Sequence, residues 1–161
     1  MNEYDDQRMS EARADLINEH IPAGSRILDF GAYRGVIARR LAAHGHDVTA
    51  VAPELTDHTG ITGIRKTLDP DGIRALGQFD VALCLSVLHH LGDWRDYVAA
   101  LEEVAPVVFY EHAIGDENSN KVAGRPVFRN AIATALTGTI IGRFPGKDAS
   151  RLRPLLYRAT P

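Results

Sequence analysis

Residues Arg26 to Ala42 carry the feature that most constrains this chain. Ile27, Leu28 and Phe30 form a short apolar run interrupted by Asp29. Gly31 and Gly35 then bracket a tight turn, and Val36, Ile37 and Leu41 continue at helical spacing. The stretch reads as strand, glycine turn, helix. Glycine lets the backbone bend sharply and approach a ligand closely, and the helix that follows opens with unbonded N–H groups. A unit of this kind places a ligand at the carboxyl end of the first strand of a parallel sheet.

The rest of the chain repeats the alternation. Residues 5–20 read as a helix with Met9, Ala12, Leu16, Ile17 and His20 near one face. A second strand runs from His46 to Pro53, and a weak third one lies within Gly63 to Leu68. Asp69-Pro70 is a helix start, with Asp69 as N-cap and Pro70 at the first helical position. Phe79 to Val87 is the most apolar run, as expected of a strand covered on both faces. Asp93 reads as the cap of a helix whose Trp94, Tyr97, Val98, Leu101 and Val104 point inward. Val107 to Glu111 is a fifth strand, Val127 to Ile141 contains a helix, and Thr139–Gly142 and Leu155–Ala159 are strand-like with no clean helix between them. The order predicts a Rossmann-like three-layer α/β/α sandwich: a mostly parallel sheet with an antiparallel final strand.

The 161 residues fit a single domain over 1–161, divided into an N-terminal helix (1–21), a ligand-binding half (22–112) and a sheet-closing half (113–161). No apolar run approaches 20 residues, and the acidic start Met1-Asn2-Glu3-Tyr4-Asp5-Asp6 is no secretory leader, so a cytoplasmic protein with no membrane partner is expected. Cys84 is the only cysteine, which excludes an internal disulfide and a cysteine zinc site. Charge is uneven: residues 1–120 hold 10 Lys+Arg against 20 Asp+Glu, whereas 121–161 hold 8 against 1. The basic end either packs on acidic elements of the same domain or meets a phosphate-bearing partner.

The motifs, taken in order, resemble class I S-adenosylmethionine-dependent methyltransferases. Ile27-Leu28-Asp29-Phe30-Gly31-Ala32-Tyr33-Arg34-Gly35 is similar to the family's first motif, Val48 to Val51 to its second strand, and Phe79 to Leu91 to its fourth-strand segment. Val107 to Glu111 resembles the fifth strand and Arg153 to Arg158 the closing antiparallel strand. The resemblance implies S-adenosylmethionine as cofactor, S-adenosylhomocysteine as product, and a set of contacts. Asp29 faces the methionine ammonium, Gly31 and Gly35 let the cofactor lie on the backbone, Leu68 and Asp69 meet the adenine, and Leu85 and Ser86 line the cofactor at the end of the fourth strand. Asp69 is equally well read as a plain helix cap. Two positions depart from the family. Its middle turn glycine is Tyr33 here, and its ribose-binding acid at the end of the second strand is Ala52, followed by Pro53 and then Glu54. Losing a charge-assisted contact of that kind weakens binding by roughly 1.5–3 kcal/mol unless it is replaced. A dinucleotide oxidoreductase fits worse, since the turn lacks G-x-G-x-x-G and Ala52 again removes the acid.

Methyl transfer needs an aligned nucleophile and, for a hydroxyl or ammonium acceptor, a base. His90 is the first choice, because the resemblance places it near the methyl group, although it reads equally well as a cap of the following loop; His112, after Glu111, is the second, and His89 reads rather as a loop residue. His89, His90, His112 and Asp116 show no metal-ligand spacing, so no metal is expected. No cap domain interrupts the strands. The open site suits a large or phosphate-bearing methyl acceptor, or a partner subunit that closes it. A small-molecule or carrier-bound acceptor is preferred over a nucleic acid held by the basic segment, because few aromatics accompany the arginines. A non-catalytic cofactor-binding module is the competing class, favoured by Tyr33 and Ala52.

Overall fold

The computed structural model describes residues 9–114, 129–146 and 151–160. Seven strands form one sheet in the order β3-β2-β1-β4-β5-β7-β6. β1 (Arg26–Phe30), β2 (Asp47–Val51), β3 (Thr62–Ile64), β4 (Val81–Leu85) and β5 (Val107–Glu111) pair in parallel, and β7 (Leu152–Ala159) joins antiparallel to both β5 and β6 (Thr139–Pro145). The chain order reverses between β1 and β4. At such a switch point the connections leave to opposite sides and open a crevice beyond the strand ends.

Alternation along the strands builds two cores. Leu28, Ala82, Val108 and Tyr110 face one side, where they meet Ile73 of α3 (Pro70–Arg74), Trp94, Leu101 and Val104 of α4 (Trp94–Val104), and Ile132 of α5 (Arg129–Ala135). Ile27, Val48, Val81, Leu83 and Phe109 face the other side, against Ala14 and Ile17 of α1 (Ser10–Asn18) and Ala38 and Leu41 of α2 (Val36–Ala43). The result is the expected sandwich. Apolar residues spaced by three and four in α4 follow from a helix showing one stripe to the sheet.

Several boundaries differ from the sequence reading, each for a physical reason. β3 is Thr62–Ile64 rather than Gly63–Leu68, because it pairs only with the tip of β2. β6 and β7 run longer than expected, since pairing with each other extends both to Pro145 and Leu152. Asp93 occupies the N-cap position of α4, but its side chain makes no capping bond; its backbone carbonyl accepts from Asp96 N–H at 2.9 Å. The inward face of α1 is Ser10, Arg13, Ala14 and Ile17, displaced from the face the apolar residues suggest. Residues 127 and 128, where the fifth helix was expected to begin, and Asp116 lie outside the described residues.

Candidate functional site

The glycine turn sits at the end of β1, at the switch point. Gly31 and Ala32 donate their N–H groups to the Val51 carbonyl at 2.9 and 3.1 Å, which folds the turn back on β2. Gly31 and Gly35 both have left-handed backbone, at φ 81° and 79°. A Cβ on Gly31 would collide with the Val87 side chain, and one on Gly35 would stand 2.7 Å from Leu55 Cδ1. The two glycines are therefore required by close packing as well as by backbone angle. Gly31 borders the cavity described next, whereas Gly35 is buried against Leu55 and caps α2.

A cavity of about 440 Å³ opens beyond the strand ends, a volume suited to a cofactor-sized ligand. Its wall includes Asp29, Gly31, Tyr33, Ala52, Pro53, Glu54, Leu68, Leu85, Ser86 and His90, most of the residues singled out from the sequence. Asp29 is its electrostatic centre. The carboxyl is 3% exposed, and its Oδ2 has no hydrogen-bond partner among the described residues. Burial raises its pKa from 3.8 to about 7, because a desolvated carboxylate is costly without a compensating charge. A cation delivered to this wall would supply that charge.

A second group lies on the same wall and was not expected. Arg13 of α1 is 2% exposed and lines the cavity with Ser10. Its Nε lies 2.8 Å from Glu111 Oε2, and its guanidinium stands 4.9 Å from the Phe144 ring centre. Glu111 ends β5, is fully buried, and through Oε1 accepts from Ser86 Oγ at 2.5 Å. Arg153 of β7 donates to the same Ser86 oxygen at 2.8 Å. This network joins α1, β4, β5 and β7 beside the cavity. The sequence carried no local signal for it, since Ser10 and Arg13 at helical spacing read equally as a solvent face.

The remaining candidates divide. Glu54 is exposed within the cavity wall, next to the position of the missing second-strand acid. Asp69 lies outside the wall and caps α3, its Oδ1 accepting from Gly72 N–H at 2.7 Å. His90 is on a short 3-10 turn, Leu88–His90, with its ring exposed to the cavity and its centre 4.3 Å from that of His89. His112 is buried outside the wall, its Nδ1 3.0 Å from the Ala113 carbonyl, and His89 Nδ1 accepts from Ala113 N–H at 3.4 Å. Of the basic residues near the end of the chain, Arg158 pairs with Glu102 at 2.9 Å and Arg153 is taken into the buried network.

Residues 1–113 match a family model described as a methyltransferase domain. The chain belongs to that family. Its cofactor is S-adenosylmethionine, and the cavity fits such a group through the orphaned Asp29 oxygen and the close-packed Gly31. Among curated proteins, the chain is 27% identical over 106 residues to the ubiquinone biosynthesis O-methyltransferase of Erwinia tasmaniensis, covering 58% of this chain and 44% of the relative. It is 31% identical over 97 residues to the enzyme of the same name from Xylella fastidiosa, covering 53% and 39%. The chain thus matches less than half the length of these relatives. Among solved structures, WbdD superposes with a TM-score of 0.70 at 21% identity, over 98% of this chain and 43% of WbdD. Magnesium protoporphyrin IX methyltransferase from Synechocystis with bound S-adenosylmethionine superposes at 0.65 and 15% identity, over 96% and 79%. These likenesses extend the methyltransferase fold over nearly the whole chain. No helix among the described residues is long and apolar enough to cross a membrane.

Proposed function

We propose that this chain transfers the methyl group of S-adenosylmethionine to the oxygen of a small or carrier-bound acceptor. The observation that carries the reading is Asp29: a buried carboxyl with an orphaned oxygen on the wall of a cofactor-sized cavity, at the end of the first strand. The similarity to O-methyltransferases supports oxygen as the accepting atom.

The cofactor supplies an activated methyl group on a sulfonium, together with an amino-acid tail carrying one ammonium and one carboxylate. Asp29 takes the ammonium, and ionises as it does so. Arg13, held by Glu111 and Phe144, takes the carboxylate, for which a planar guanidinium is well matched. Gly31 keeps the backbone low enough for close approach. Glu54, exposed on the cavity wall, takes over the ribose hydroxyls from the absent second-strand acid in this reading, and Leu68 packs on the adenine beside Asp69, which serves α3. Leu85 and Ser86 border the donor end. His90 would accept the proton of the acceptor hydroxyl as the C–O bond forms and the methyl–sulfur bond breaks, its electron pair staying on S-adenosylhomocysteine, and holding the acceptor in line would contribute the larger part of the rate.

Calorimetry with S-adenosylhomocysteine tests the reading. Binding at micromolar to submillimolar concentration is expected; no heat at millimolar ligand would sink it. With an acceptor in hand, His90→Ala should lower kcat by about a hundredfold or more and leave cofactor affinity unchanged. Unchanged turnover would remove His90 as the base.

A further inference from the structure

The turn after β1 holds left-handed backbone at alternate positions, with Tyr33 at φ 52° between Gly31 and Gly35. At the two glycines a side chain has no room. Position 33 is different: the tyrosine is 37% exposed and forms part of the cavity wall. Left-handed backbone is unfavourable for every residue with a Cβ and rare for a bulky one, and glycine would adopt it freely. An avoidable strain kept at the mouth of a cavity points to a role for the side chain there. The Arg34 guanidinium lies 5.4 Å from the ring centre, and the Arg34 carbonyl accepts from Arg39 Nη1 at 2.8 Å, which fixes the adjoining backbone. An aromatic face is apolar and carries a negative quadrupole, so it attracts a cationic ligand.

We infer that Tyr33 is the retention residue of this cavity, its ring covering the bound cofactor beside the Asp29 turn and slowing its release. The inference rests on the methyltransferase reading above.

Three variants separate ring from backbone. Tyr33→Phe keeps the ring, Tyr33→Ala keeps the strained Cβ without it, and Tyr33→Gly removes both. Calorimetry and stopped-flow release of S-adenosylmethionine, whose sulfonium carries the positive charge, from the full chain should place Phe within about twofold of wild type. Ala and Gly should bind about tenfold more weakly, through faster release. Without ligand, Gly should melt about 3 °C above Ala, because only Ala keeps the strain. Equal affinity in wild type, Ala and Gly would overturn the cover and leave the methyltransferase reading standing. No binding by wild type would remove that reading and this inference together. Equal melting of Ala and Gly would overturn the strain argument that singles out the ring.

Discussion

The Asp29 carboxyl carries a cost that depends on pH. Its pKa near 7, against an ordinary value of 3.8, means that the folded chain keeps a proton the unfolded chain releases. The contribution of this residue to stability therefore falls as pH rises from about 4 to 7 and is constant above. Asp29→Asn should raise the apo melting temperature at pH 8 relative to wild type, and much less at pH 4. On the proposed role of Asp29, cofactor affinity should rise as pH climbs toward 7, with a proton released on binding below that point. Calorimetry in two buffers of different ionisation enthalpy would show it, and the Asn variant should lose both the affinity and the proton release. None of this is visible in the letters Leu-Asp-Phe: the sequence marks an acid before a glycine turn, whereas its desolvation appears only once the folded sheet and turn have buried it to 3% exposure.

Two helix contacts show what was legible at the next scale. Asp69-Pro70 announced a helix start, and the structure supplies the bond, so the local chemistry sufficed. Asp69→Ala should cost about 1 kcal/mol in urea titration, Asp69→Asn much less, and neither should alter S-adenosylhomocysteine affinity, because the side chain lies outside the cavity wall. The face of α1 was misjudged by contrast, because apolar residues were taken to mark it. Glu111, far along the chain, draws Arg13 inward, and no local pattern reports a partner 98 positions away. The outer side of α1 is held to α2 by Asp15, which accepts from Arg40 Nε and Nη2 at 2.7 and 2.9 Å and lies 2.7 Å from His44 Nε2. Hydrogen bonds from Arg40 and then His44 lower the Asp15 pKa to about 2, so this contact is fully present above about pH 4 and is lost as pH falls through 2. Asp15→Asn should speed amide exchange in α1 while changing global stability by less than about 1 kcal/mol, as expected of a half-exposed pair.

At the scale of the molecule, the fold was legible because two-faced burial leaves nearly continuous apolar runs, and Phe79 to Val87 is the clearest of them. Leu83 stands at its middle, fully buried between β1 and β5. Leu83→Ala should cost roughly 2–5 kcal/mol in chemical denaturation. The sheet-closing end was harder to read, because β6 and β7 owe their length to each other. Their arrangement also orders events in folding. β7 lies between β5 and β6, so β6 has no strand to join until β7 is in place. Until β7 docks, alone or as a hairpin with β6, the outer edge of β5 stays open. During that interval the unpaired N–H and C=O groups beside Phe109 and Tyr110 form a template that any other extended chain can join. A sheet lacking β7 is therefore the species most open to edge-to-edge joining, and a substitution that weakens β7 should raise light scattering during refolding.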